Sequence, residues 1–101
     1  MRDAAGEASA FLRALANESR LMILCHLAAE EGREMSVSEL AKAMQLDQPR
    51  LSQHLARLRR DGLVKTRREA QTIYYSVARS EAAPVIEVLH RSFCPPRKAR
   101  N

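Results

Sequence analysis

Between Arg50 and Arg68 the chain sets seven basic residues, Arg50, Arg57, Arg59, Arg60, Lys65, Arg67 and Arg68, against the single acid Asp61. That stretch carries a net +6 in a chain whose formal total is +5, so the positive charge is local rather than general. Cations concentrated on one element neutralise a polyanion, and the chemistry they imply is phosphate binding. Gln48, Ser52, Gln53 and His54 lie in or beside the same stretch and add neutral donors and acceptors. Arg can pair with guanine O6 and N7 and Gln with adenine N6 and N7, so the mixture suits a duplex groove as well as its backbone. A second chemistry belongs to the two cysteines, Cys25 and Cys94, which lie far apart in the sequence. In a reducing compartment that separation argues against a structural disulfide and leaves buried thiols or redox chemistry.

The elements that must position these groups follow from apolar spacing. Ala4, Ala8, Phe11, Leu12 and Leu15 recur at helical intervals, giving an amphipathic first helix that ends before Asn17. Ser19 is expected to cap a second helix, apolar on nearly every side from Leu21 to Ala28 and stopping near Gly32, which makes it the central core helix. Ser36 with Glu39 three residues on forms a capping box for a short third helix, with Val37, Leu40, Ala41 and Met44 inward. Asp47 caps the fourth helix, and Pro49 fits its first turn because the amides there have no intrahelical acceptor. On that helix Leu51, Leu55 and Leu58 face inward. Pro49, Gln53, Ala56 and Arg60 occupy the reverse face, with Arg50, Ser52 and Arg57 on the flank.

Gly62 ends the fourth helix, since the left-handed position after a helix prefers glycine. Lys65 to Arg68 and Thr72 to Val77 are rich in β-formers around the polar turn Glu69, Ala70, Gln71 and read as a hairpin. One of Tyr74 and Tyr75 should pack inward and the other face out. Ser80 is expected to cap a last helix, Glu81 to about Phe93, whose apolar face holds Val85, Ile86, Leu89 and Phe93 until Pro95 and Pro96 stop it. The fold class is therefore mainly α with a two-stranded β wing, in the order α-α-α-α-β-β-α: a winged helix-turn-helix. Residues 1–94 form one domain for DNA binding and dimerisation, and 95–101 a flexible basic tail. At 101 residues with 46% hydrophobic content the domain is small enough to favour a homodimer. No membrane span or signal peptide is indicated, and the expected location is the cytoplasm.

Three segments, FLRALANESRLMIL (Phe11 to Leu24), LSQHLARLRRDGLV (Leu51 to Val64) and TIYYSV (Thr72 to Val77), resemble the ArsR/SmtB family of dimeric repressors, and the resemblance covers nearly the whole chain. It implies a homodimer built on the first and last helices, an operator with inverted-repeat symmetry, and release by an inducer bound near those helices. Metal-sensing relatives often carry a Cys-x-Cys box in the third helix, where this chain has Ser36, Val37, Ser38 and Glu39. The zinc site of the last helix needs Asp-x-His early, where this chain has Ser80, Glu81, Ala82 and Ala83. His90 and Glu87 alone are too few donors for a closed tetrahedral site, so no metal or other cofactor is expected.

The two cysteines resemble those of the dithiol, reactive-sulfur-sensing subgroup, the BigR/SqrR-like regulators, with Cys25 and Cys94 in the matching places. The resemblance implies that persulfides, glutathione persulfide among them, bridge the pair by a disulfide or polysulfide and lower DNA affinity. Peroxide or another oxidant, a metal or haem are alternative inducers. A thiol-dependent persulfide reductase is the enzymatic alternative, disfavoured because there is no Cys-x-x-Cys and no evident acid and base set. An RNA-binding or protein-docking winged helix is a third class. The residues expected to meet DNA are Gln48, Arg50, Ser52, Gln53, His54, Arg57, Arg60, Lys65, Arg67 and Arg68.

Overall fold

A computed structural model of the chain describes residues 2–30, 32–78 and 82–93. Helix α1 spans Arg2–Leu15 and α2 spans Glu18–Ala28. The cap of α2 is Asn17, not Ser19: its backbone is extended and its Oδ1 accepts from the Arg20 amide at 3.0 Å. Ser19 lies inside the first turn, because the extended residue that can reach the third amide stands two positions earlier. The helix also stops at Ala28, short of Gly32, and Gly32 serves the following loop with φ +78°.

Burial of Ile23, Leu24 and Leu27 makes α2 the central helix, packed against α1, α3, α4, α5 and strand β3. Met22 lies in the run from Leu21 to Ala28 that reads as core on nearly every side, yet it is exposed, whereas Met35 is buried and Met44 half-buried.

The capping box forms as expected on α3 (Val37–Met44): Ser36 Oγ accepts from the Glu39 amide at 3.1 Å, and Glu39 Oε1 accepts from the Ser36 amide at 2.9 Å. Gln45 ends α3 in the left-handed region, φ 55°, and turns the chain into α4 (Gln48–Arg60). Asp47 Oδ1 caps α4 by accepting from the Arg50 amide at 2.9 Å. Leu51, Leu55 and Leu58 are fully buried. This inward stripe fixes which face of α4 meets water. After Asp61, Gly62 adopts φ +78°; the Leu63 amide donates to the Leu58 carbonyl at 2.9 Å and the Gly62 amide to that of Arg59 at 3.0 Å. That is a Schellman closure, and it sends the chain straight into the wing.

The wing hairpin is β2 (Val64–Glu69) and β3 (Thr72–Val77), with Arg67 opposite Tyr74 and Glu69 opposite Thr72. A third strand, β1 (Met35–Ser36), joins it in the order β1-β3-β2, pairing Met35 with Tyr75 and Ser36 with Tyr74. The expected two-stranded hairpin is thus the outer part of a three-stranded antiparallel sheet. Tyr75 packs against the core and Tyr74 lies on the opposite face, as strand alternation requires. Helix α5 (Ala82–Phe93) buries Ile86 and packs on α2. The expected cap Ser80, together with Cys94 and the tail 95–101, lies outside the described residues.

Candidate nucleic-acid interface

Burying Leu51, Leu55 and Leu58 leaves the polar side of α4 to solvent. Gln48, Pro49, Arg50, Ser52, Gln53, Ala56, Arg59 and Arg60 are all exposed, while His54 and Arg57 are half-buried. Helix-turn-helix geometry uses such a face: a second helix whose inner stripe is anchored and whose outer face carries Arg, Gln and Ser fits a major groove. All the candidates of α4 therefore reach the surface, though not equivalently. Arg57 Nε donates to Asp61 Oδ2 at 3.0 Å, four residues on at the C-cap of α4, so part of its charge is spent within the protein. His54 is held below its ordinary pKa, first by burial and then by the charges of Arg20 and Arg50, which disfavour a further cation.

Arg20 was not singled out in the sequence. Its Nε donates to the Ala14 carbonyl at 2.6 Å and its Nη2 to that of Arg13 at 3.3 Å, satisfying carbonyls at the end of α1. Burial lowers its pKa, and the charges of Arg57 and Asp61 act on it in opposite directions. One guanidinium thus ties the end of α1 to α2 and feels the charges at the end of α4. Its i,i+6 and i,i+7 links to α1 leave no periodic trace.

On the wing Lys65, Arg67 and Arg68 are all exposed. Arg68 Nε donates to the Ala70 carbonyl at 3.3 Å, within the hairpin turn. Arg67 is bound far more tightly. Its Nε and Nη2 donate to Glu34 Oε1 at 3.1 and 2.9 Å, Nε also reaches Oε2 at 3.0 Å, and Nη1 donates to Glu69 Oε1 at 3.0 Å. The guanidinium carbon stands 5.0 Å from the centroid of the Tyr74 ring. The hydrogen bonds from Arg67 hold the Glu34 carboxyl below its usual pKa, and those to Glu34 and Glu69 push the Arg67 pKa up. Glu34 is the wing residue that sequence reasoning missed. It stands 33 positions from Arg67, and only the pairing of β1 brings it near.

Cys25 is half-buried on α2, between buried Leu24 and half-buried His26. Its intended partner, Cys94, follows the last described residue of α5, Phe93, and lies outside the described residues. Among the described residues no group of three or more His, Cys, Asp or Glu could hold a metal ion. None of the described helices is long and apolar enough to cross a membrane.

Helix-turn-helix, anchored stripe and antiparallel wing define a winged helix-turn-helix regulator. Residues 17–66 match the family model described as bacterial regulatory protein, arsR family. The chain is 50% identical over 94 residues to the transcriptional activator HlyU of Vibrio cholerae, covering 93% of this chain and 84% of that protein. A solved structure of reduced HlyU from that organism is similar with a TM-score of 0.84, over 93% of this chain and 96% of the other. The biofilm growth-associated repressor of Agrobacterium fabrum is 44% identical over 98 residues, covering 97% of this chain and 81% of that protein. A homodimeric winged helix-turn-helix DNA-binding domain from Mycobacterium bovis, described as a possible ArsR-family regulator, is 30% identical with a TM-score of 0.79, over 90% and 82% of the two chains. This chain belongs to the arsR family of bacterial transcriptional regulators. It is a regulator, not an enzyme.

Proposed function

We propose that the chain is a homodimeric, DNA-binding repressor that leaves its operator when Cys25 and Cys94 become bridged by sulfur drawn from a persulfide. The observation that carries this reading is the position of Cys25: half-buried on α2, the helix on which α5 packs, with Cys94 the next residue after Phe93. Dimerisation through α1 and α5 is supported by apolar side chains that the protomer leaves in water, with Leu12 58% exposed, Val88 51% and Phe93 74%. Exposed apolar groups on two helices are what a second subunit would cover. DNA binding is supported by family membership and by the cationic outer faces of α4 and the wing.

The thiol chemistry balances without an external oxidant. A cysteine thiolate attacks the outer sulfur of a low-molecular-weight persulfide, forming a protein persulfide and expelling the carrier thiolate. If both cysteines are so modified, the perthiolate of one attacks the inner sulfur of the other, and hydrosulfide leaves as a trisulfide forms. Attack by an unmodified thiolate on the same inner sulfur instead gives a disulfide and hydrosulfide. A direct disulfide needs Cα atoms within about 7 Å, and an inserted sulfur lengthens the reach by about 2 Å, so bridge length reports how far apart the helices are held. A coupling of about 1–3 kcal/mol between bridge and DNA affinity corresponds to about 5- to 150-fold weaker binding.

The test measures intact mass and affinity on one reduced sample, with a duplex selected in vitro by the reduced protein, before and after glutathione persulfide. Peroxide, haem and zinc serve as parallel treatments. Mass gain in sulfur increments at both cysteines, with affinity lost only after persulfide, is the expected result. Unmodified thiols, or unchanged affinity after modification, would overturn the sulfur switch and leave a DNA-binding regulator with another inducer.

A further inference from the structure

We propose that Glu34 is an intramolecular competitor for DNA phosphate: it holds Arg67 on the wing surface, so that the unbound protein meets the duplex with Lys65 and Arg68 rather than with Arg67. The inference deepens the DNA-binding reading and rests on it. A bidentate carboxylate offers a guanidinium the same two parallel acceptors as a phosphate, and Glu34 accepts from both Nε and Nη2 of Arg67 at 2.9–3.1 Å. Glu69 takes a third donor, Nη1, at 3.0 Å. The Tyr74 ring lies beneath the same group, 5.0 Å from its carbon.

The sheet builds this arrangement. Arg67 is on β2, Tyr74 opposite it on β3, and Glu34 immediately precedes β1 on the far side of β3. The arginine therefore lies across the middle strand to reach its acid. Two carboxylates and one ring engage it before any nucleic acid arrives. Among the described residues the ion pairs of the basic stretch are those of Arg57 and Arg67, not of Lys65 or Arg68. A phosphate that recruits Arg67 must displace Glu34, whose freed negative charge would then stand beside the DNA backbone. Glu34 thus lowers the affinity of the wing for any duplex, irrespective of sequence.

The probe is a fluorescein-labelled 30-base-pair duplex of mixed sequence, titrated by anisotropy with the full chain over a salt series. Unaltered protein is compared with Glu34→Gln, Arg67→Gln, Lys65→Gln and the double variant Glu34→Gln/Arg67→Gln, each first shown to melt cooperatively. Glutamine matches glutamate in size and polarity and removes its charge; at Arg67 and Lys65 it is a shorter polar side chain that removes the charge together with the reach to phosphate. Glu34→Gln is expected to bind more tightly and to steepen the log–log salt slope by about 0.9 for each wing whose Arg67 gains a phosphate. Its advantage should therefore shrink about threefold per wing between about 50 and 200 mM salt. In the Arg67→Gln background the same substitution should gain little affinity and leave the slope unchanged. Arg67→Gln alone should alter the slope less than Lys65→Gln does.

An equal gain from Glu34→Gln with or without Arg67 would overturn the proposal, since that is what loss of one acidic charge does anywhere near DNA. A larger slope loss for Arg67→Gln than for Lys65→Gln would also overturn it, because Arg67 would already be bonding phosphate. If the unaltered protein binds no duplex, the DNA reading fails and the competition with it. NMR titration of the Glu34 carboxyl in DNA-free protein separates the cases. Lys65 also lowers the Glu34 pKa, so some depression remains without Arg67; a carboxyl pKa in Arg67→Gln as low as in the unaltered protein would show that no clamp exists even where DNA binds.

Discussion

Arg57 and Asp61 form an ion pair at the last turn of α4, with Nε and Oδ2 3.0 Å apart, at the most cationic end of the recognition helix. Asp61 is the single acid between Arg50 and Arg68, and its charge also acts on Arg20 of α2, opposite in sign to that of Arg57. The pair is partly exposed, so as an isolated i,i+4 contact it is worth about 0.3–0.5 kcal/mol. Its larger consequence is that the Asp61 charge offsets that of Arg57 at Arg20. Asp61→Asn is expected to lower stability by about 0.5–1 kcal/mol at low salt and by less near 0.5 M salt, where repulsion between Arg20 and Arg57 is screened. Thermal melts at the two ionic strengths check this, and a loss independent of salt would show that Asp61 acts as a cap rather than as a counter-charge.

His54 supplies the pH dependence. Its folded pKa lies below the ordinary value of 6.5, because burial and the charges of Arg20 and Arg50 resist a further cation. Below 6.5 the unfolded chain therefore binds more protons at this site than the folded one, and stability falls as pH drops through 6.5 toward the lowered folded value. Above that window the group is neutral in both states and contributes no slope. Urea melts at pH 7.5 and 5.5 should show His54→Gln losing less stability on acidification than the unaltered protein. Equal losses would refute the assignment.

Ser36 is both the cap of α3 and a paired residue of β1, opposite Tyr74. Ser36→Ala removes the acceptor for the Glu39 amide, a loss of about 1 kcal/mol for a helix cap. Because β1 shares the residue, hydrogen exchange should quicken in α3 and in Tyr74 and Tyr75 together. Fast exchange confined to α3 would mean that the strand stands without its cap.

Ala70 turns the wing hairpin at φ 56°, a region that costs a side chain about 1 kcal/mol and glycine nothing. Ala70→Gly is therefore expected to raise stability by about 0.5–1 kcal/mol, less what glycine adds to the unfolded chain's freedom. A rise in thermal midpoint of a few degrees is the checking observation; a fall would mean that unfolded-state entropy outweighs the relieved strain.

Much of the scaffold could be read in the chain because its causes are local. Ser36 with Glu39, Asp47 with Pro49, and Gly62 each act within a few residues, and Leu51, Leu55 and Leu58 repeat at helical spacing, so the helix-turn-helix and the outward face of α4 follow from the sequence. The same holds for the hairpin, whose strands flank a short polar turn. Asn17 displaced Ser19 as the cap of α2 because backbone conformation, not residue type alone, decides which side chain reaches the third amide. Strand β1 had no local signature: two residues carry no periodicity, and Met35 and Ser36 are extended because β3, nearly forty positions later, supplies their hydrogen bonds. With β1 came Glu34, and with Glu34 the holding of Arg67. Sequence determined that the wing would be basic; which of its cations is already engaged was decided by tertiary pairing, since an ion pair across three strands depends on register and not on neighbours in the chain.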